Sequence, residues 1–168
     1  REAGRLKPLV GWAPQEDSFY SRLTVRENML YFGSLYGIPA KVLAERAAEL
    51  LSLLGLSEKR DARAHALSGG MKKRLNMGIA LMHAPKILYL DEPTVGVDPI
   101  YRHGLWTVIE RLRSQGVTML LVEQFAAAAL AVSNYGYVME NGRISVHGPA
   151  AQLRDDPAVK AAYLGGGH

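Results

Sequence analysis

At 168 residues and 48% hydrophobic content the chain can fill one domain with a sizeable core. Its mild surplus of +4, from 20 basic and 16 acidic residues of interspersed sign, does not by itself argue for nucleic acid as a partner. It contains no cysteine, which excludes a disulfide framework and a thiolate metal site and fits a reducing compartment such as the cytoplasm. No apolar h-region follows Arg1-Glu2-Ala3-Gly4-Arg5, and the most apolar stretch, Val117 to Val132, is interrupted by Glu123 and Gln124, so nothing reads as a membrane span.

In chain order, Leu9-Val10-Gly11-Trp12-Ala13 predicts a strand that ends at Pro14 and feeds a loop at Gln15 to Tyr20. Thr24, three residues before Glu27, has capping-box spacing, and Met29, Leu30, Phe32 and Leu35 continue a helix until Gly37 and Pro39 stop it. A second helix is predicted from Val42 to Leu54, with Leu43, Ala47, Leu50, Leu51 and Leu54 on one face and Gly55 as its stop. A third starts at Ser68 and carries Met71, Leu75, Gly78, Ile79 and Met82 at helical spacing.

After Pro85 the texture changes. Ile87-Leu88-Tyr89-Leu90, ending in Asp91-Glu92-Pro93, reads as a buried parallel strand with carboxylates at its C-terminal end. A helix from Tyr101 to Ser114, a second buried strand from Val117 to Val122 and an alanine-rich helix from Phe125 to Val132 follow, an order that implies right-handed crossovers and a parallel sheet. Gly136 to Glu140 and Arg143 to Val146 flank Asn141-Gly142, a strong hairpin signal, and a helical tail is expected from Pro149 to Leu164. There is no internal repeat and no low-complexity linker.

Two places carry chemistry. Leu67-Ser68-Gly69-Gly70 opens a helix with a capping hydroxyl, two glycines that let a ligand approach the backbone, and free N–H groups suited to an anion; taken as four residues alone it is equally a capped helix start with a flexible turn. Asp91 and Glu92 stand where a strand leaves the sheet, the switch-point region of open α/β folds. One suits Mg²⁺ and the other a water directed at a γ-phosphate, while an Asp-Glu-Pro turn after a core strand is the plain alternative. The five histidines, His65, His83, His103, His147 and His168, show no metal-ligand spacing on a helix. Met71, Met77 and Met82 are expected as packing, and Lys72-Lys73-Arg74 as a solvated helix face.

Together these residues resemble the ABC ATPase family, in the family's order and along almost the whole chain. The resemblance makes Gln15, in Ala13-Pro14-Gln15-Glu16, the Q-loop glutamine that reaches Mg²⁺ and the attacking water; Leu67 to Gly70 the signature; Leu88 to Asp91 the end of the Walker B strand; Glu92 the catalytic carboxylate; and Asp98, in Pro93-Thr94-Val95-Gly96-Val97-Asp98-Pro99, the D-loop aspartate at a dimer interface. Where the family presents a switch histidine this chain has Gln124, which can hydrogen-bond a phosphate oxygen or water without an imidazole's charge. The family's Walker A loop lies well upstream of the Q-loop and the chain begins fourteen residues before Gln15, so that loop, like the adenine-stacking aromatic, is missing and the chain alone is expected to be inactive.

The implied fold is an α/β, P-loop NTPase-like core with a mostly parallel sheet, lacking its Walker A portion, plus a helical signature subdomain. Its segments are 1–20 (Q-loop strand and loop), 21–82 (helical subdomain), 83–148 (core with Walker B, D-loop and hairpin) and 149–168 (tail). The implied function is that of a partial ATP-binding subunit, coupling ATP binding and hydrolysis to transport. ATP would meet Ser68, Gly69, Gly70 and Asp98; Mg²⁺ would meet Asp91 and Gln15; Glu92, Gln124 and Gln15 would act on the water and γ-phosphate. Its partners would be a transmembrane permease and a second ATP-binding subunit head to tail, with no nucleic acid, on the cytoplasmic face of the cell membrane. A non-catalytic signature donor or an inactive truncated fragment are the alternatives, and a non-transport ABC ATPase a weaker one. The signature and D-loop look like exporters; Leu120 to Gln124, the hairpin and Asp156 to Gly166 look like branched-chain amino acid importers, as if joined near Val117.

Overall fold

The computed structural model describes residues 7–160, which divide after Val122 into two compact units. In the first, β1 (Val10–Ala13), β2 (Ile87–Asp91) and β3 (Thr118–Val122) form a parallel sheet in the order β1-β2-β3, with Trp12, Tyr89 and Leu120 in one row. Helices α1 (Val25–Ser34), α2 (Ala40–Leu53) and α3 (Gly69–Leu81) connect β1 to β2, and α4 (Pro99–Ser114) connects β2 to β3. The expected α/β class and parallel pairing are both present.

The helices start where their caps allow. Thr24 Oγ1 accepts from the Glu27 N–H at 3.1 Å and Glu27 Oε2 accepts from the Thr24 N–H at 2.7 Å, which satisfies two donors that the first turn of α1 would otherwise leave unpaired. Asp98 caps α4 by accepting from the Ile100 N–H at 2.9 Å, and Pro99 follows it in the first turn, where a missing N–H costs nothing. Met29, Leu54, Leu56, Leu75, Met77 and Met82 are fully buried, as are Leu88 and Leu90 of β2 and Leu105, Ile109 and Leu112 of α4.

Glycine sets the closest approaches. A Cβ at Gly78 would lie 2.9 Å from Leu54 Cδ1 and 3.2 Å from Met29 Cε, so α3 meets α1 and the end of α2 at a bare backbone. A Cβ at Gly11 would collide with the Ala80 carbonyl oxygen, which is how β1 lies directly on α3.

The sheet departs from expectation in one respect. Both β2 and β3 read as strands buried on two faces, yet β3 alternates exposed and half-buried residues. The helices of this unit cover the face of Gly11, Ala13, Leu88 and Leu90, and leave Trp12, Ile87, Leu120 and Val122 exposed on the other. An apolar run reports strand propensity and not the number of covered faces.

In the second unit, α5 (Ala126–Val132) precedes the antiparallel hairpin β4 (Tyr135–Glu140) and β5 (Arg143–Pro149). Asn141 and Gly142 both take positive φ, 49° and 75°, as a type I′ turn requires. Leu130, Ala150, Leu153 and Val159 form its core, with Val138 and Val146 against them. The tail is not one helix. Segment α6 (Ala150–Asp155) ends as Asp156 turns extended before Pro157, whose ring disfavours a helical residue ahead of it, and a short α7 (Pro157–Val159) restarts. The expected helix beyond residue 160 lies outside the described residues. Among the described residues no helix is long and apolar enough to cross a membrane.

Candidate functional site

The C-terminal edge of the parallel sheet gathers the first group of residues. Ala13 pairs with Leu90 and Asp91 with Val122, so Gln15, two residues past β1, and Asp91-Glu92, at the end of β2, leave the sheet on the same side. The Glu92 N–H donates to the Val122 carbonyl at 2.9 Å, which extends the β2–β3 pairing by one bond. Its backbone sits at φ 44°, a left-handed conformation that side chains other than glycine adopt at a cost of about 1–3 kcal/mol. Asp91 and Glu92 are both half-buried. Burial, and then the Asp91 carboxylate, push the Tyr89 hydroxyl above its ordinary range.

The second group is the start of α3. Ser68 takes an extended conformation and its hydroxyl accepts from the Met71 N–H at 3.4 Å, leaving the N–H groups of the first turn at an exposed Gly69 and a buried Gly70. These glycines lie against the segment after Asp91-Glu92: a Cβ at Gly69 would stand 3.9 Å from the Gly96 carbonyl oxygen, and one at Gly70 would stand 3.8 Å from Val97 Cγ1. Sequence spacing relates neither pair. The turn from Glu92 to Asp98 is built around Thr94, fully buried, with Gly96 at φ 75° and the Val97 carbonyl accepting from Arg102 Nε at 2.9 Å. Asp98 follows it as the α4 cap.

Gln124 stands in the second unit, exposed, with its N–H donating to Glu123 Oε2 at 3.1 Å.

The basic run Lys72-Lys73-Arg74 is not the solvated face expected of it. Lys72 pairs with Asp17 at 3.2 Å and the Lys73 ammonium donates to the Gln15 carbonyl. Arg74 turns inward, and a Cβ at Gly104 would lie 2.5 Å from its Nη2, so that glycine makes room for the guanidinium between α3 and α4. Burial, with Arg111 nearby, lowers the Arg74 pKa. Asn76 is buried and holds the loop after β1 through its amide. A polar residue on the apolar face of a helical pattern is the one signal that marks it.

Among the described residues no three His, Asp or Glu side chains converge to hold a metal unaided. The donors at the sheet edge, the Asp91 carboxylate and the Gln15 amide oxygen, are hard oxygen ligands, a set that suits Mg²⁺ held mainly by substrate phosphates and water.

The first unit thus has an α/β core with carboxylates at the C-terminal edge of a parallel sheet, and a glycine-started helix packed on the loop that follows them. A family model described as ABC transporter matches residues 1–95, and one described as branched-chain amino acid ATP-binding cassette transporter matches residues 146–168. The high-affinity branched-chain amino acid transport ATP-binding protein BraG of Pseudomonas aeruginosa is 40% identical over 162 residues, covering 96% of this chain and 69% of BraG. The Nod factor export ATP-binding protein I of Rhizobium sp. (strain N33) is 36% identical over 160 residues, covering 95% of this chain and 53% of that protein. MJ1267, an ATP-binding cassette of an ABC transporter solved in its ADP conformation, superimposes with a TM-score of 0.79 at 29% identity, covering 97% of this chain and 71% of MJ1267. The chain belongs to the ABC transporter family of ATP-binding proteins, and spans about two thirds of BraG and about half of the Nod factor protein. The branched-chain amino acid transport relative and the Nod factor export relative each match nearly its whole length, and the branched-chain family model falls on the C-terminal part.

Proposed function

We propose that the chain acts in the ATP-binding subunit of an ABC transporter, as the part that carries the signature and Walker B halves of the ATP site. The observation that supports this best is the shared sheet edge from which Gln15, Asp91 and Glu92 emerge. Asp91 and Gln15 would hold Mg²⁺, and Glu92 would orient the attacking water and accept its proton. Ser68 and the N–H groups of Gly69 and Gly70 would bind the γ-phosphate of an ATP held by a second subunit, with Asp98 at the same interface. Mg²⁺, when bound, supplies charge neutralisation at the β- and γ-phosphates. Those phosphates also need a glycine-rich loop with Lys-Ser/Thr, and no such loop is among these 168 residues.

The permease contact falls on the loop after β1 and on α1 and α2. Tyr20, Tyr31 and Phe32 form a ring cluster with centroids 5.2–5.8 Å apart, and Leu35 and Tyr36 in the turn after α1 and Val42 on α2 are exposed. Apolar exposure of that kind marks an interaction surface. The transported substrate is set by the permease; the branched-chain amino acid and Nod factor relatives bracket its class.

The test is hydrolysis in the assembled transporter. Glu92→Gln is expected to slow ATP turnover about a hundredfold or more while ATP still binds. Turnover within twofold of the unaltered transporter would remove Glu92 from the proposed role.

A further inference from the structure

Among the described residues, three polar side chains are fully buried: Asn28, Asn76 and Thr94. Both asparagines direct their amides at one segment, the irregular stretch from Pro14 to Thr24. Asn76, on the inner side of α3, donates from Nδ2 to the Glu16 carbonyl at 2.8 Å and toward the Pro14 carbonyl at 3.4 Å. Its Oδ1 accepts from the Ser18 N–H at 3.2 Å and from Ser18 Oγ at 3.1 Å. Those four contacts use both donors and both acceptor sites of the amide. Asn28, on α1, takes the far end: it accepts from the Tyr20 N–H at 2.8 Å and donates to the Tyr20 and Thr24 carbonyls, each at 3.0 Å.

A buried amide left unpaired would be costly, so each of these bonds resists release of the segment. The surface contributes as well, through Lys72 on Asp17 and Lys73 on the Gln15 carbonyl. Loops of this exposure are ordinarily among the more mobile parts of a protein. This one has its first half fastened to α3 by a side chain whose four partners all lie within residues 14–18.

We propose that Asn76 is a positioning residue: it makes residues 14–18, Gln15 among them, move as one body with α3, the helix that begins at Ser68-Gly69-Gly70. The inference rests on the reading of Gln15 as a nucleotide-site group. Asn76 stands eight residues from Ser68, about 12 Å along a helix. A displacement of the loop after β1 therefore reaches the glycine start of α3 through one rigid element, and nucleotide engaging that start returns the displacement to Gln15.

Amide hydrogen exchange in the assembled transporter tests the clamp directly. In Asn76→Ala the Ser18 amide is expected to exchange about tenfold faster or more, while the Tyr20 amide, held by Asn28, and the amides inside α3 keep their rates. The same variant is expected to lower kcat for ATP about tenfold with KM within about twofold, the pattern of a lost catalytic alignment and not of lost ground-state binding. Ser18→Ala, altered on the exposed side of the same bond, gives a weaker effect of the same sign and serves if Asn76→Ala does not fold. Unchanged Ser18 exchange, or acceleration spread equally through α3, makes Asn76 a plain core amide and overturns the proposal, as does a change confined to KM. If the unaltered transporter does not hydrolyse ATP, the nucleotide reading fails, and the exchange measurement still decides the clamp.

Discussion

On one face of the three-stranded sheet Gly11, Ala13, Leu88 and Leu90 are buried under helices; on the other, Trp12, Ile87 and Leu120 are 60%, 40% and 54% exposed. The two faces use the same residue class and alternate along the same strands. Their difference comes from what packs on them. Helix α3 reaches the covered face because Gly11 presents bare backbone to Ala80, whereas Trp12, next in sequence, points the other way. Burial in this sheet is a property of the partner helix, and strand composition reports only that each position tolerates apolar surroundings.

The sharpest way to break that contrast is a matched pair of truncations. Leu88→Ala, on the covered face, is expected to cost about 2–5 kcal/mol, while Leu120→Ala on the open face costs less than about 1 kcal/mol. Urea midpoints of the two variants compare them; equal losses would mean both faces are covered. Next in size, Gly11→Ala forces a methyl into the Ala80 carbonyl, with an expected loss of about 1–3 kcal/mol and a selective rise in β1 amide exchange. Thr24→Ala moves to the helices that do the covering: loss of the capping box is expected to lower stability by about 1 kcal/mol without altering the sheet amides.

The smallest effect is a pH dependence. His83 lies against the ring of Tyr36, centroids 3.9 Å apart, with Nε2 at 3.2 Å from the Val10 carbonyl at the start of β1. Burial holds its imidazole below the ordinary histidine range, opposed by the Val10 carbonyl and assisted by Arg46. The folded chain therefore binds this proton less readily than the unfolded chain. The associated stability is present above about pH 6.5, the unfolded value, and is lost as pH falls through the lowered folded value. Denaturation midpoints at successive pH values should decline on that side of neutrality and flatten in His83→Gln.

Much of the scaffold was legible before coordinates. Thr24 and Ser68 stand at helix starts because capping is a local matter, and the Asn141-Gly142 turn is fixed by two positive φ angles. The motif residues at the sheet edge were legible by resemblance together with their position after apolar strands. What escaped was set by distant partners. The open face of β3 depends on helix placement, the inward course of Arg74 depends on a glycine thirty residues later, and the contact of Gly69 and Gly70 with Gly96 and Val97 joins segments that no periodicity relates. Asn76 escaped for a similar reason, since its partners are atoms of a loop some sixty residues earlier.

Glu92 holds a backbone shape that glycine would occupy with less strain, and glycine carries no acid. Glycine or asparagine at that corner would relieve the strain and leave no carboxylate there. Glutamate at that corner sits at φ 44°, and the strain fits the role proposed for its carboxylate.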